Sequence, residues 1–138
     1  MSAGFRLARE DDIPRLSEIR AAVRENRLVS VTIGPDDYRP YIEDARCWVA
    51  ETEGAVRAFA ALDAEAASIW ALFVDPAAEG AGLGRALLDC LLTDARHRGL
   101  AVLTLETEAG TRAETFYRRA GFTETARDGG TLHMTLAP

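Results

Sequence analysis

The sequence predicts an α/β domain, of the α+β kind, with a mixed central sheet of six or seven strands flanked by helices. Three observations carry this. Apolar residues alternate with others from Cys47 to Asp75 in three segments joined by short turns, which antiparallel neighbours require. A glycine-rich stretch then leads into a helical stripe and a further alternating segment, a βαβ unit whose two strands run parallel. Helical spacing also precedes and follows this block, so helices are available to cover the sheet.

Taken in order, Phe5 and Leu7 predict a short strand, and Asp11 or Asp12 caps a helix whose stripe is Ile13, Leu16, Ile19 and Val23. Pro14 falls in its first turn, where a missing N–H costs nothing, and the helix is expected to end near Glu25–Arg27. A second helix is expected over 36–45, with Tyr38, Tyr41, Ile42 and Ala45 on one face. Strands follow at 47–52, 55–62 and 68–75, the first two joined by the tight Glu53-Gly54 turn. Leu87, Leu88, Leu91, Leu92 and Ala95 form the stripe of the next helix, which Gly99 stops. A strand is expected at 100–107. Thr111 and Glu114 form a capping box for a helix carrying Ala113, Phe116, Tyr117 and Ala120, and Gly121 ends it. Two last strands are expected at 122–126 and 131–136. No repeat, linker or low-complexity segment divides residues 1–138, so one domain is expected.

Composition narrows the partners. A chain of 138 residues can bury roughly two thirds of its unfolded surface without a metal or disulfide. Its 48% hydrophobic and 28% charged residues are those of a globular protein. A formal charge of −6 argues against nucleic acid, whose binding draws on clustered Lys and Arg, and is compatible with an amine partner. Cys47 and Cys90 form no Cys-x-x-Cys pattern, so buried reduced thiols are expected rather than a metal site or a disulfide. Met1–Glu10 holds no apolar run behind a basic start, and nowhere do about eighteen apolar residues follow one another. No secretion signal or membrane contact is therefore expected, and the reading is cytoplasmic.

The most informative stretch is Val74-Asp75-Pro76-Ala77-Ala78-Glu79-Gly80-Ala81-Gly82-Leu83-Gly84-Arg85, between a strand and a helix. Glycines permit positive φ and close approach of a ligand, while the helix start offers unpaired N–H donors to a phosphate. A close-packed turn would use the same residues. A dinucleotide fingerprint begins with Gly80 and Gly82, and Glu106 falls at its acidic spacing, but Arg85 holds the third glycine position and antiparallel strands precede the motif. No Gly-Lys-Ser/Thr follows, so a Walker loop fails.

The order and wording of two motifs resemble the GNAT superfamily of N-acetyltransferases. That family's Arg/Gln-x-x-Gly-x-Gly/Ala at the start of its central helix reads Glu79-Gly80-Ala81-Gly82-Leu83-Gly84, and its Tyr-x-x-x-Gly-Phe reads Tyr117-Arg118-Arg119-Ala120-Gly121-Phe122. Two departures stand out: Glu79 replaces the usual Arg or Gln, and Gly110 replaces an Asn often found ahead of the tyrosine helix.

The resemblance implies acetyl-CoA as acyl donor, with no metal. Gly80, Ala81, Gly82, Leu83, Gly84 and Arg85 would lie along its phosphates, and the backbone of Leu72, Phe73 and Val74 would pair with the pantetheine amides. Tyr117 would be the acid that meets the departing thiolate, and the acceptor would be a primary amine of a small molecule or an amino terminus. Glu25, Asn26, Arg27 and Trp70 are the expected acceptor contacts. For the base, Glu25, Glu106, His133 and water all remain open. Homodimers are common in the resembling family. A CoA-binding regulatory module without turnover and a nucleotide-binding domain are the alternatives.

Overall fold

The computed structural model describes residues 3–23 and 33–138. Its seven-stranded sheet has the order β1-β2-β3-β4-β5-β7-β6. The strands are β1 (Gly4–Leu7), β2 (Cys47–Thr52), β3 (Ala55–Asp63), β4 (Ser68–Val74), β5 (Leu103–Glu108), β6 (Thr123–Asp128) and β7 (Thr131–Leu136). The helices are α1 (Ile13–Val23), α2 (Pro35–Glu43), α3 (Leu83–His97) and α4 (Arg112–Arg119). All neighbours are antiparallel except β4 and β5, as the βαβ reading requires.

Strand alternation separates two cores. Ala58, Ala60 and Leu62 of β3 face a cluster built on Leu87, Leu88 and Leu91 of α3, whereas Phe59 and Ala61 face Leu16 and Ile19 of α1 and Tyr38 of α2. The β2–β3 hairpin turns on Glu53 (φ 53°) and Gly54 (φ 77°), the positive pair that a two-residue turn needs to match strand twist.

Among the differences from expectation, two arise because a turn consumes residues that still fit the apolar pattern, and one is a cap. The strand expected from Leu100 starts at Leu103, because Gly99 (φ 77°) and the Leu100 N–H bond to the Ala95 carbonyl (3.0 Å) finish α3 first. The second helix spans Pro35–Glu43 instead of 36–45, and Ala45 has left the helix with φ 56°. At α4, Thr111 caps as expected, accepting from the Glu114 N–H at 3.3 Å, but the Glu114 carboxylate reaches back to Gly110 N (2.8 Å) rather than to Thr111. Cys47 is buried and Cys90 only half-buried; both are free thiols.

A charged knot joins β1 to the start of α1. Asp12 accepts two bonds from Arg6 (2.8 and 3.0 Å) and one from Arg9 N (2.7 Å), and Arg6 also donates to Glu51 at 2.9 Å. The Arg6 hydrogen bonds, aided by the Arg9 N–H, hold the Asp12 carboxyl below its ordinary range against the opposing effect of burial. A carboxyl lowered in the folded state stabilises above its unfolded pKa, about 3.9, and loses that contribution as pH falls through the folded value. Asp12→Asn is thus expected to cost about 2 kcal/mol at pH 7, with the deficit shrinking toward pH 2. Urea unfolding at both pH values checks this; a deficit independent of pH would remove the ionic origin.

Candidate active site

The sheet is split at its one parallel junction. β4 and β5 pair through a single register position, Ser68 with Thr104, secured by Thr104 N donating to the Ala67 carbonyl at 2.9 Å. The cause lies two residues along β4. Its pairing with β3 shifts from Ala61↔Ala71 to Leu62↔Ile69, so Trp70 is the extra residue of a β-bulge. Bulges bend a strand and increase its twist. Beyond this one, Leu72, Phe73 and Val74 keep β3 on one side and have no paired strand on the other among the described residues. Leu72 and Val74 pack toward α3, and Phe73 packs toward α1.

At the open end of the split lies the glycine loop. Asp75 caps a 3₁₀ turn over Pro76–Ala78, accepting from Ala77 N at 3.0 Å, and Arg15 of α1 holds its other oxygen at 2.5 Å. The Ala77 N–H first, then Arg15, keeps the Asp75 carboxyl ionised below its ordinary range. Gly80 (φ 85°) and Gly82 (φ 79°) take left-handed conformations, and a Cβ on either would meet only open space. Gly82 is the residue on which α3 begins. The loop therefore has open space at both glycines beside a helix N-terminus, which fits a phosphate.

Gly84 has a packing part besides the one expected in the cradle. A Cβ there would lie 3.3 Å from Val74 Cγ2 and 3.5 Å from Phe116 Cε1, so this glycine lets α3 close against β4 and α4. Gly84→Val is expected to lower the melting temperature, the signature of packing rather than of ligand contact. An unchanged melting curve would refute this. Leu83 is also a core residue, leaving its backbone N–H as the group it can offer. Ala81 and Arg85 are exposed, and Arg85 pairs with Asp89 at 3.3 Å.

Tyr117 projects from α4 into the core between Phe116 and Phe122, with ring centroids 5.2 and 5.5 Å away. Burial alone pushes its phenol above the ordinary value, so the hydroxyl stays protonated across the neutral range. That hydroxyl has no hydrogen-bond partner among the described residues.

On the opposite face, a cleft of about 570 Å³ opens over β4, β5 and β7. Leu103, Leu105, Leu132 and Met134 face α3 and α4, so alternation sends Thr104, Glu106, His133 and Thr135 into the cleft. Glu106 and His133 stand in register, with Oε1 and Nδ1 3.4 Å apart. Of the base candidates these two are brought together. Glu25, Asn26 and Arg27 lie outside the described residues.

Trp70, expected at the acceptor, does line the cleft. The Tyr41 ring stacks on it at 4.4 Å, and the Arg20 guanidinium carbon sits 4.8 Å from the ring centroids of both Trp70 and Phe73. Arg20, which donates to the Tyr38 hydroxyl at 3.2 Å, has no signal in the sequence beyond being a basic residue on α1. Only the bulge brings Trp70 beneath it.

A split sheet with a glycine loop at its mouth and a tyrosine helix beside it makes one α/β fold. Residues 43–124 match the acetyltransferase (GNAT) domain family, and the chain belongs to that family. A mycothiol acetyltransferase of Geodermatophilus obscurus is 48% identical over 61 residues, 44% of this chain and 20% of that protein. The chain spans about a fifth of the length of such curated relatives. The Salmonella typhimurium protein yncA, solved with its cofactor acetyl-CoA, superposes with TM-score 0.79 at 25% identity, covering 99% of this chain and 94% of that one. A ribosomal-protein-alanine N-acetyltransferase from Brucella melitensis does so with TM-score 0.78 at 28% identity, covering 98% and 99%. No helix among the described residues is long and apolar enough to cross a membrane.

Proposed function

We propose that the protein is an acetyl-CoA-dependent N-acetyltransferase, moving an acetyl group to a primary amine of a small molecule or an amino terminus by direct attack on the thioester. The observation that carries this is the split between β4 and β5. With α3 and α4 on one face of the sheet and the cleft on the other, donor and acceptor would meet across this split from opposite sides.

Acetyl-CoA supplies an activated carbonyl and a thiolate leaving group. The chain's own groups divide the remaining work. Backbone N–H donors at Gly80–Gly84 and the α3 start hold phosphate, and the unpaired edge of Leu72–Val74 offers amide partners to an extended arm. Trp70 forms an acceptor wall. Glu106, with His133 beside it, takes the amine proton directly or through water, and Tyr117 donates its own to the departing sulfur. A cytoplasmic setting and a homodimer belong to the same reading, the latter checked by sedimentation.

The test is a panel of amines, amino acids and peptides with acetyl-CoA, read by free-thiol release, beside calorimetric titration of CoA. Turnover of at least one amine supports the enzyme. CoA binding with no turnover across the panel would favour a regulatory module, and binding of NAD in place of CoA would favour a nucleotide-binding domain.

Gly82→Val separates the cradle from the core. It adds no clash, but its φ of 79° strains a β-branched residue and obstructs the loop face. CoA affinity is expected to fall at least about tenfold in a folded protein. Unchanged affinity would overturn the phosphate assignment.

A further inference from the structure

Arg112 and Glu79 meet across the mouth of the split. Glu79 belongs to the loop that follows β4, and Arg112 is the first residue of α4, which follows β5. Their side chains are joined at 2.7 Å between Arg112 Nη1 and Glu79 Oε2. Both bases of this bridge are fixed: the loop by Asp75 with Arg15, and the α4 start by Thr111 and by Glu114 holding Gly110 N. The ion pair thus spans the two strand ends that the β4–β5 split has separated.

The pair is also built to exchange. The Arg112 side chain is 87% exposed and that of Glu79 38% exposed, so water screens their attraction and the bond contributes little. A guanidinium matches two phosphate oxygens as well as it matches a carboxylate, and a diphosphate carries more charge than one Glu. The loop otherwise offers phosphate its backbone and Arg85, itself paired with Asp89.

Building on the CoA reading above, we propose that Arg112 is a phosphate-binding residue that leaves Glu79 for the diphosphate of CoA, with Glu79 acting as its resting partner. The position where the resembling family carries a cation on the loop is thereby served from α4, and Glu79 becomes a competitor for the cation rather than a ligand.

The experiment is calorimetric titration of wild type, Arg112→Gln, Glu79→Gln and the double variant with CoA, dephospho-CoA and pantetheine. Arg112→Gln is expected to weaken CoA and dephospho-CoA about tenfold and to leave pantetheine unchanged. Glu79→Gln is expected to tighten both phosphorylated ligands severalfold by freeing Arg112, and to gain less when Arg112 is already Gln. A loss confined to CoA would assign Arg112 to the 3′-phosphate and overturn the diphosphate contact. Unchanged CoA affinity in Arg112→Gln, or weaker binding in Glu79→Gln, would overturn the exchange. Melting temperatures should barely move, since the pair is exposed. Failure of the wild type to bind CoA at all would instead sink the CoA reading on which this one rests.

Discussion

Tyr117→Phe is expected to lower kcat by roughly a hundredfold to ten-thousandfold while leaving CoA affinity and the melting curve close to wild type. The ring does the packing: it lies edge-on to Phe116 and Phe122 within the α3–α4 core, and phenylalanine preserves those contacts. The hydroxyl has no partner among the described residues, so its removal strands no donor or acceptor. Burial keeps the phenol protonated, which a proton donor needs and a nucleophilic phenolate would not. A positioned general acid contributes about 3–5 kcal/mol of barrier on this scale. If the proton moves as the sulfur leaves, kcat and kcat/KM fall together under conditions where chemistry limits turnover. Steady-state kinetics with an accepted amine, alongside CoA titration, reads this directly. Wild-type turnover in the phenylalanine variant would return Tyr117 to a purely structural part.

What the sequence made legible follows from how locally each feature is determined. The β2–β3 hairpin, the stripe of α3 and the cap of α4 rest on neighbours within a few residues, and their expected positions agree with the structure to within one or two residues. The start of β5 differs from expectation because Leu100–Val102 continue an apolar pattern while the backbone is still closing α3. Gly82 and Gly84 look alike in the motif; one stands in open space at positive φ, the other abuts Val74 and Phe116 from an adjacent element.

The site's geometry depends on longer reach. The Trp70 bulge arises from a register mismatch with β3, and the resulting split decides which backbone is free. The Glu79–Arg112 pair joins residues 33 positions apart, and Arg20 meets Trp70 and Phe73 from another helix. No periodicity encodes such meetings. Glu106 and His133 are intermediate: alternation places both on one face, but only the β5–β7 register makes them neighbours.

That neighbourhood carries the second large effect. Glu106→Gln is expected to lower kcat/KM for the amine about a hundredfold near neutral pH, with CoA binding unchanged. The substitution keeps the side chain's size and its place in the cleft opposite His133, removing the carboxylate's capacity to take a proton. The Glu106 side chain is 67% exposed, so its loss should leave stability within about 0.5 kcal/mol and the kinetic deficit cannot be ascribed to unfolding. An attacking amine must be neutral, and an ammonium acceptor loses its proton unaided as pH rises. Raising the pH should therefore rescue the variant in part and displace the acid limb of its kcat/KM profile, which reports the free enzyme's base or the free amine. His133→Gln, which removes only the partner of that carboxylate, should produce a smaller loss. Equal kcat/KM for Glu106→Gln and wild type across the pH range would eliminate the carboxylate as proton acceptor and leave water in that part.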